Sequence, residues 1–172
     1  MSDAVTVIAG VAIASTSPLF LAGVAVHVAA GLTCVVAGAI AMLSKKAAGR
    51  HPTAGSVYYW ALAVVFATAA GLAIARWTED ADLFLLACLA FALATFGREA
   101  MRRGWLGRYR PHIFGMGSSY IVLLTAFYVD NGKSLPVWRD LPTLAYWTVP
   151  AAIGLPIMAW ALLRHPLVRR AG

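Results

Sequence analysis

The sequence predicts an all-α protein, a polytopic transmembrane helical bundle with five spans. Hydrophobic residues make up 61% of the 172 residues and charged residues only 12%, which is more apolar surface than a soluble domain of this size can bury. From Leu19 to Leu43 no side chain carries a fixed charge. As a helix this stretch covers about 37 Å, longer than a hydrocarbon core of about 30 Å. The charges gather between such apolar stretches, as topology signals do.

We expect one integral membrane domain over residues 1–172, with spans at approximately 19–43, 55–75, 83–97, 113–129 and 142–163. Segments that cross lipid must be helices or strands of a closed barrel, and these are too long and too evenly apolar for barrel strands. The third span is short, so it must either recruit Ala81 and Asp82 or thin the bilayer. Pro150 and Pro156 interrupt the fifth, and we expect each to kink the helix and free a carbonyl.

An apolar segment at residues 4–14 precedes these spans but is too short to cross. Ser15, Thr16, Ser17 and Pro18 separate it from the first span. It lacks the basic start of a signal peptide, and Asp3 argues against one. We therefore predict a short N-terminal apolar helix at the outer interface, with a re-entrant segment or a sixth span as open alternatives.

The basic residues orient the spans. Eleven of the 14 fall in one set of loops and only Arg76, Lys133 and Arg139 in the other. The eleven are Lys45, Lys46, Arg50, Arg98, Arg102, Arg103, Arg108, Arg110, Arg164, Arg169 and Arg170. Because cytoplasmic loops carry the excess of positive charge, we predict an external N-terminus and a cytoplasmic C-terminus.

The first four spans resemble two copies of one unit, in which a basic loop leads into a helix that opens with histidine. His51 is followed by Tyr58 and His112 by Tyr120, seven or eight residues later. This spacing is two helical turns, so each histidine and tyrosine would share a face, at the same depth in both copies. Chance similarity is the alternative explanation.

The stretch from His112 to Tyr120, HIFGMGSSY, with its continuation to Gly132, resembles the signature of an uncharacterised family of bacterial predicted multi-pass membrane proteins, a domain of unknown function. An earlier span opens in a similar way with His51, Gly55 and Tyr58. The resemblance covers roughly residues 20–165. It implies a helical fold in a bacterial cytoplasmic (inner) membrane, and it implies no assigned reaction.

His27 lies near the middle of the first predicted span, in a stripe of small residues that includes Gly23 and Gly31. Such stripes let helices approach closely, so we expect His27 to face protein rather than lipid. Polar groups at this depth are costly and often functional. We favour a structural role, a neutral imidazole bonded to a neighbouring carbonyl such as one freed by Pro150 or Pro156.

His51 and His112 are the next candidates, since neutral imidazoles ligate metals and haem iron. Two rings at one depth could hold a haem b between them, with His27 as a further ligand and His165 as a third candidate at the inner rim. The structural alternative, which we favour, is that His51 caps a helix and His112 sits among interfacial arginines. The identity of any metal is left open.

Tyr120 carries a third hypothesis. With Met116, Ser118 and Ser119 it could line a polar pocket after His112 that holds a lipid or quinone, although serines also simply pack helices. The basic loop at residues 98–110 suits anionic lipid headgroups better than nucleic acid.

Three functions follow from these patterns. The sequence has no P-loop, dinucleotide fingerprint, HExxH or GxSxG motif, so it gives no indication of an enzyme. We favour a non-catalytic accessory or structural subunit of a larger membrane assembly, whose partners are the lipid bilayer and other subunits or further copies of the chain. The alternatives are an electron-transfer protein that binds haem or metal and a protein that binds lipid or quinone.

Overall fold

Five long helices dominate the computed structural model, which describes residues 6–8, 11–13, 17–164 and 168. The helices are α1 (Pro18–Leu43), α2 (Arg50–Ala75), α3 (Trp77–Arg102), α4 (Tyr109–Asn131) and α5 (Thr143–Arg164). All five are long and apolar enough to cross a membrane. The predicted all-α fold with five spans is therefore confirmed.

The helices extend beyond the predicted spans, and α3 does so most. It has 26 residues and includes Ala81 and Asp82, one of the two alternatives for the short third span. Glu79 and Asp80 lie in its first turn, where carboxylates offset the positive end of the helix dipole. Near its other end Glu99 pairs with Arg102 and Arg103, three and four residues on. Hydropathy excluded these residues because they are charged, whereas their local interactions favour helix.

The predicted helix at residues 4–14 is wrong for the described part of that segment. Two short strands, β1 (Thr6–Ile8) and β2 (Val11–Ile13), pair antiparallel there, with Thr6 opposite Ile13. Five of these six residues are β-branched. Such side chains lose rotamer freedom in a helix and favour extended backbone, and apolarity alone did not reveal this preference.

The chain divides into two compact units, residues 1–84 and 85–172. In the first unit α1 packs against α2, and residues 44–49 connect them. In the second unit α4 packs against α5, and the connection contains two short 3-10 helices, Gly132–Ser134 and Trp138–Asp140. The early part of α3 belongs to the first unit and the rest to the second.

In the second unit the backbones of α3 and α4 touch at a pair of glycines. A Cβ atom built on Gly115 would lie 2.6 Å from the Gly97 nitrogen and 2.6 Å from the Leu93 carbonyl oxygen. Real Cβ atoms do not approach backbone so closely, so both positions require glycine. This is the small-residue packing by which helices associate where lipid removes the hydrophobic driving force.

A side chain of α4 packs against a glycine of α5, and a side chain of α5 packs against a glycine of α4. Ile121 occupies the space where a Gly154 Cβ would lie, and a Cβ on Gly117 would meet the Met158 sulfur at 3.1 Å. The helical assignment of α5 continues through Pro150 and Pro156. Since proline has no N–H, each removes one donor from the helix ladder.

An aromatic cluster orders the connection between α4 and α5. The rings of Tyr128 and Trp138 stack, with centroids 3.8 Å apart and planes 16° from parallel. The Tyr146 hydroxyl donates to the Trp138 carbonyl at 3.1 Å. A Cβ on Gly132 would lie 2.8 Å from the Tyr146 ring, so this glycine lets the ring close over the end of α4.

The glycine contact leads to a first prediction. Gly115→Ala should destabilise the protein by about 1–3 kcal/mol, the usual cost of inserting a methyl group where no space exists. Unfolding in detergent by titration with SDS, followed by far-UV circular dichroism, measures the change.

The matched control is Gly71→Ala in α2, where nothing lies within 4 Å of an added Cβ. This variant should be neutral or more stable by up to about 1 kcal/mol, because alanine favours helix over glycine. Equal midpoints for the two variants would contradict the close contact.

Candidate functional site

His27 faces α2, as expected for a polar residue in the small-residue stripe. Its Nδ1 lies 2.9 Å from the hydroxyl oxygen of Thr68. That hydroxyl lies 2.7 Å from the Val64 carbonyl in its own helix. When the Thr68 proton points to Val64, Nδ1 must be the donor to the hydroxyl oxygen. Thr68 is thus one partner of the His27 ring, and the predicted bond from the ring to a neighbouring carbonyl stays a prediction.

The sequence did not identify Thr68 as a partner of His27. A threonine inside a helix commonly bonds a carbonyl one turn back, and its oxygen keeps lone pairs for another donor. Which residue of α2 lies level with His27 depends on how the two helices are aligned, which hydropathy does not reveal. Leu72 of α2 marks this alignment, because its Cδ2 lies 3.6 Å from a Cβ built on Gly23.

His51, near the start of α2, bonds back to the end of α1. Its Nδ1 is 2.8 Å from the Ala41 carbonyl oxygen. Because a carbonyl can only accept, Nδ1 carries the proton. Lys46 Nζ also donates to Ala41 and to Met42, at 2.8 and 2.6 Å. Ser44 donates through its N–H and its hydroxyl to Ile40, at 3.0 and 2.6 Å.

These bonds cap the last turn of α1, whose carbonyls have no partner within the helix. Lys46 lies in the connection to α2, where partial burial lowers the pKa of its ammonium group. A lysine beside the negative end of a helix dipole is favourably placed. The structural role expected for His51 is thus visible, with one difference: it caps the end of α1 rather than the start of its own helix.

His112, near the start of α4, bonds a carbonyl inside α3. Its Nδ1 donates to Gly97 at 3.0 Å, beside the contact between Gly97 and Gly115. Ser119, two turns after His112, is fully buried. His112 therefore joins the two helices at the point where their backbones are closest.

The two histidines are not equivalent, although both bond the preceding helix. Ala41 is the third residue from the end of α1, whereas Gly97 is the sixth from the end of α3. Three residues of helix correspond to about 4.5 Å. The two acceptor carbonyls thus lie at different distances from the ends of their own helices, while a common depth of the two histidines in the membrane stays a prediction.

Tyr120 is half-buried in α4. Ser119 beside it is buried, and the Ser118 hydroxyl donates to the Met158 sulfur of α5 at 3.6 Å. The polar pocket around Tyr120 stays a prediction. His165 lies outside the described residues.

The second unit does contain an open groove that sequence reasoning missed. It is lined by Phe96, Arg110, Pro111, Phe114, Leu162 and Leu163. These residues come from α3, α4 and α5, and five of the six are apolar. Hydropathy assigns such residues to lipid contact, and only the packing of three helices brings them together.

The candidate ligands are divided between the two units. His27 and His51 belong to the first unit, and His112 and Tyr120 to the second. Among the described residues no group of three or more histidine, cysteine or acidic side chains could hold a metal ion. Comparisons with protein-family models, with curated proteins and with solved structures found no match.

The bond between His27 and Thr68 leads to a second prediction. In a double-mutant cycle of His27→Leu and Thr68→Val, we expect a coupling energy between about 0.6 and 1.7 kcal/mol, the range for hydrogen bonds between membrane helices. Unfolding of the four proteins in SDS titrations supplies the energies.

Thr33→Val provides the control for this cycle, because the Thr33 hydroxyl is exposed and donates to Ala29 of its own helix at 2.8 Å. Its effect should add to that of His27→Leu without coupling. A Thr68 coupling energy no larger than that of Thr33 would refute the bond.

Proposed function

We propose that this chain is an integral protein of a bacterial cytoplasmic membrane and acts there as a non-catalytic accessory subunit of a larger membrane assembly. One observation carries the proposal. The histidines inside or beside the spans bond to neighbouring helices: His27 to Thr68, His51 to Ala41 and His112 to Gly97. Side chains that join helices in this way build a scaffold.

The exposed surfaces of the helices support the same proposal. Large apolar side chains remain exposed along α1, α2 and α5, and examples are Val36, Trp60 and Ile157. Lipid chains or the helices of other subunits can cover such surfaces, whereas water cannot do so without cost.

The distribution of charge supports an external N-terminus and a cytoplasmic C-terminus. In the first unit Lys45 and Lys46 lie between α1 and α2 and Arg50 begins α2, whereas the acids Glu79, Asp80 and Asp82 lie beyond the other end of α2. The excess of basic residues marks the cytoplasmic side in membrane proteins. The resemblance to a bacterial family supports the inner membrane as the location.

The assembly is tested on the full chain extracted from its native membrane in mild detergent. We expect a particle much heavier than one 18.2 kDa chain with its detergent belt, and a fixed ratio of this chain to its partners across preparations. Mass photometry and quantitative mass spectrometry measure both. A monomer that leaves the column alone in several mild detergents would contradict the proposal.

A second candidate, a haem or metal protein of electron transfer, is favoured by one feature of the histidine bonds. Both His51 and His112 donate from Nδ1 to a backbone carbonyl. Histidines that ligate metals are usually held in this way, which fixes the tautomer and leaves Nε2 as the ligating atom. The same hydrogen bond therefore suits both a histidine that ligates a metal and a histidine with a structural role.

An absorption spectrum of the purified protein separates the two candidates. A Soret band that His51→Ala and His112→Ala each abolish would favour haem binding. For the accessory subunit we expect no such band, and we expect His51→Ala to lower the stability by about 1 kcal/mol because a carbonyl of α1 loses a donor. His112→Phe, which keeps the ring volume, controls for packing.

A further inference from the structure

The groove of the second unit combines one charged residue with apolar walls. Arg110 lies in the first turn of α4, and Phe114 follows one turn later. Leu162 and Leu163, close to the end of α5, form the opposite wall. One helical turn is about 5.4 Å, so Phe114 lies about that far along α4 from Arg110.

Basic residues surround this end of the unit. Arg98 and Arg102 lie in the last turns of α3 and Arg103 follows it directly, Arg108 precedes α4 and Arg110 lies in its first turn, and Arg164 ends α5. Glu99 is the only acid described in these segments. This end of the unit therefore has a strong excess of positive charge.

Several of these arginines are already engaged within the protein. Glu99 pairs with Arg102 at 3.3 Å and with Arg103 at 2.8 Å. The Arg108 guanidinium lies 5.5 Å from the centre of the Tyr109 ring. The exposed side chain of Arg110 forms no ion pair with any acid that the structure describes. It is thus the arginine of the groove that is available to an anion from outside.

We propose that this groove binds an anionic phospholipid, whose phosphate pairs with Arg110 while one acyl chain lies against Phe114 and Leu162. The inference is independent of whether the chain is an accessory subunit. Guanidinium groups bind phosphate through short, charge-assisted hydrogen bonds. Basic pockets between membrane helices are suited to lipid headgroups.

The apolar walls select a lipid over a soluble phosphate compound. A free phosphate would satisfy Arg110 but would leave the aromatic and leucine side chains without an apolar partner. An acyl chain covers them and gains dispersion contacts with the aromatic and leucine side chains. The surplus of positive charge, in turn, selects anionic over zwitterionic headgroups.

The test uses the full chain in a neutral detergent and native mass spectrometry. Phosphatidylglycerol and phosphatidylcholine with identical acyl chains are added at equal concentration. The wild type should retain phosphatidylglycerol preferentially. Arg110→Gln should weaken that binding about fivefold, since one basic residue near an anionic headgroup contributes about 1 kcal/mol.

Arg139→Gln is the matched control, because Arg139 is an exposed arginine in the same unit but lies in the connection between α4 and α5. It should leave phosphatidylglycerol binding unchanged. Equal losses for the two arginine variants, or equal retention of both lipids by the wild type, would overturn the assignment. Displacement of the lipid by an equal concentration of inorganic phosphate would also overturn it.

A second pair of variants tests the apolar wall. Phe114→Ala should weaken phosphatidylglycerol binding about threefold, because the acyl chain loses its dispersion contacts with the phenyl ring. Phe127→Ala, which removes another exposed phenylalanine of α4 outside the groove, should not. Circular dichroism of all variants verifies that each remains folded, and equal effects of the two phenylalanine variants would refute the groove as the site.

Discussion

Hydrocarbon offers no hydrogen bonds to the groups that enter it, and this constraint organises the whole chain. It requires helices, because only a helix satisfies its backbone within one segment. It also requires that polar side chains inside the spans find partners in the protein. His27 does so through Thr68 of the neighbouring helix, and Thr68 in turn bonds its own backbone at Val64. A single hydroxyl thus serves both the helix to which it belongs and the helix beside it.

Where lipid weakens the drive to bury apolar surface, close packing must hold the helices together. The contact of Gly97 with Gly115 brings two backbones together, and the same approach places the Gly97 carbonyl within reach of His112. The glycine contact and the histidine bond are therefore one feature. A side chain on either glycine would separate the helices and remove the acceptor from the histidine.

The sequence predicts the five spans because each has an apolar middle, and hydropathy measures that middle. Hydropathy fails at the helix ends. Residues such as Glu79 and Arg102 continue α3 there through interactions with the helix dipole and with opposite charges, and an average of hydropathy cannot detect these interactions. The partner of His27 and the six residues of the groove were also beyond reach, since both depend on how one helix is aligned with another. The β-branched composition of residues 6–8 and 11–13 was a signal that could have been used, because it favours strands.

His51 and His112, which occupy similar positions in the sequence repeat, show how far such a repeat determines the role of a side chain. Both lie near the start of a helix, and both donate from Nδ1 to a carbonyl of the helix before. Yet the Ala41 carbonyl lies in the last turn of α1, whose carbonyls need hydrogen-bond donors from outside the helix. The Gly97 carbonyl lies farther inside α3, where a backbone N–H of the same helix already donates to it. His51 therefore completes a helix end that Lys46 and Ser44 also cap, and His112 adds a bond between two helices. Similar positions along the chain have led to different physical roles, so a shared ligand role for the two rings requires evidence beyond their resemblance in sequence.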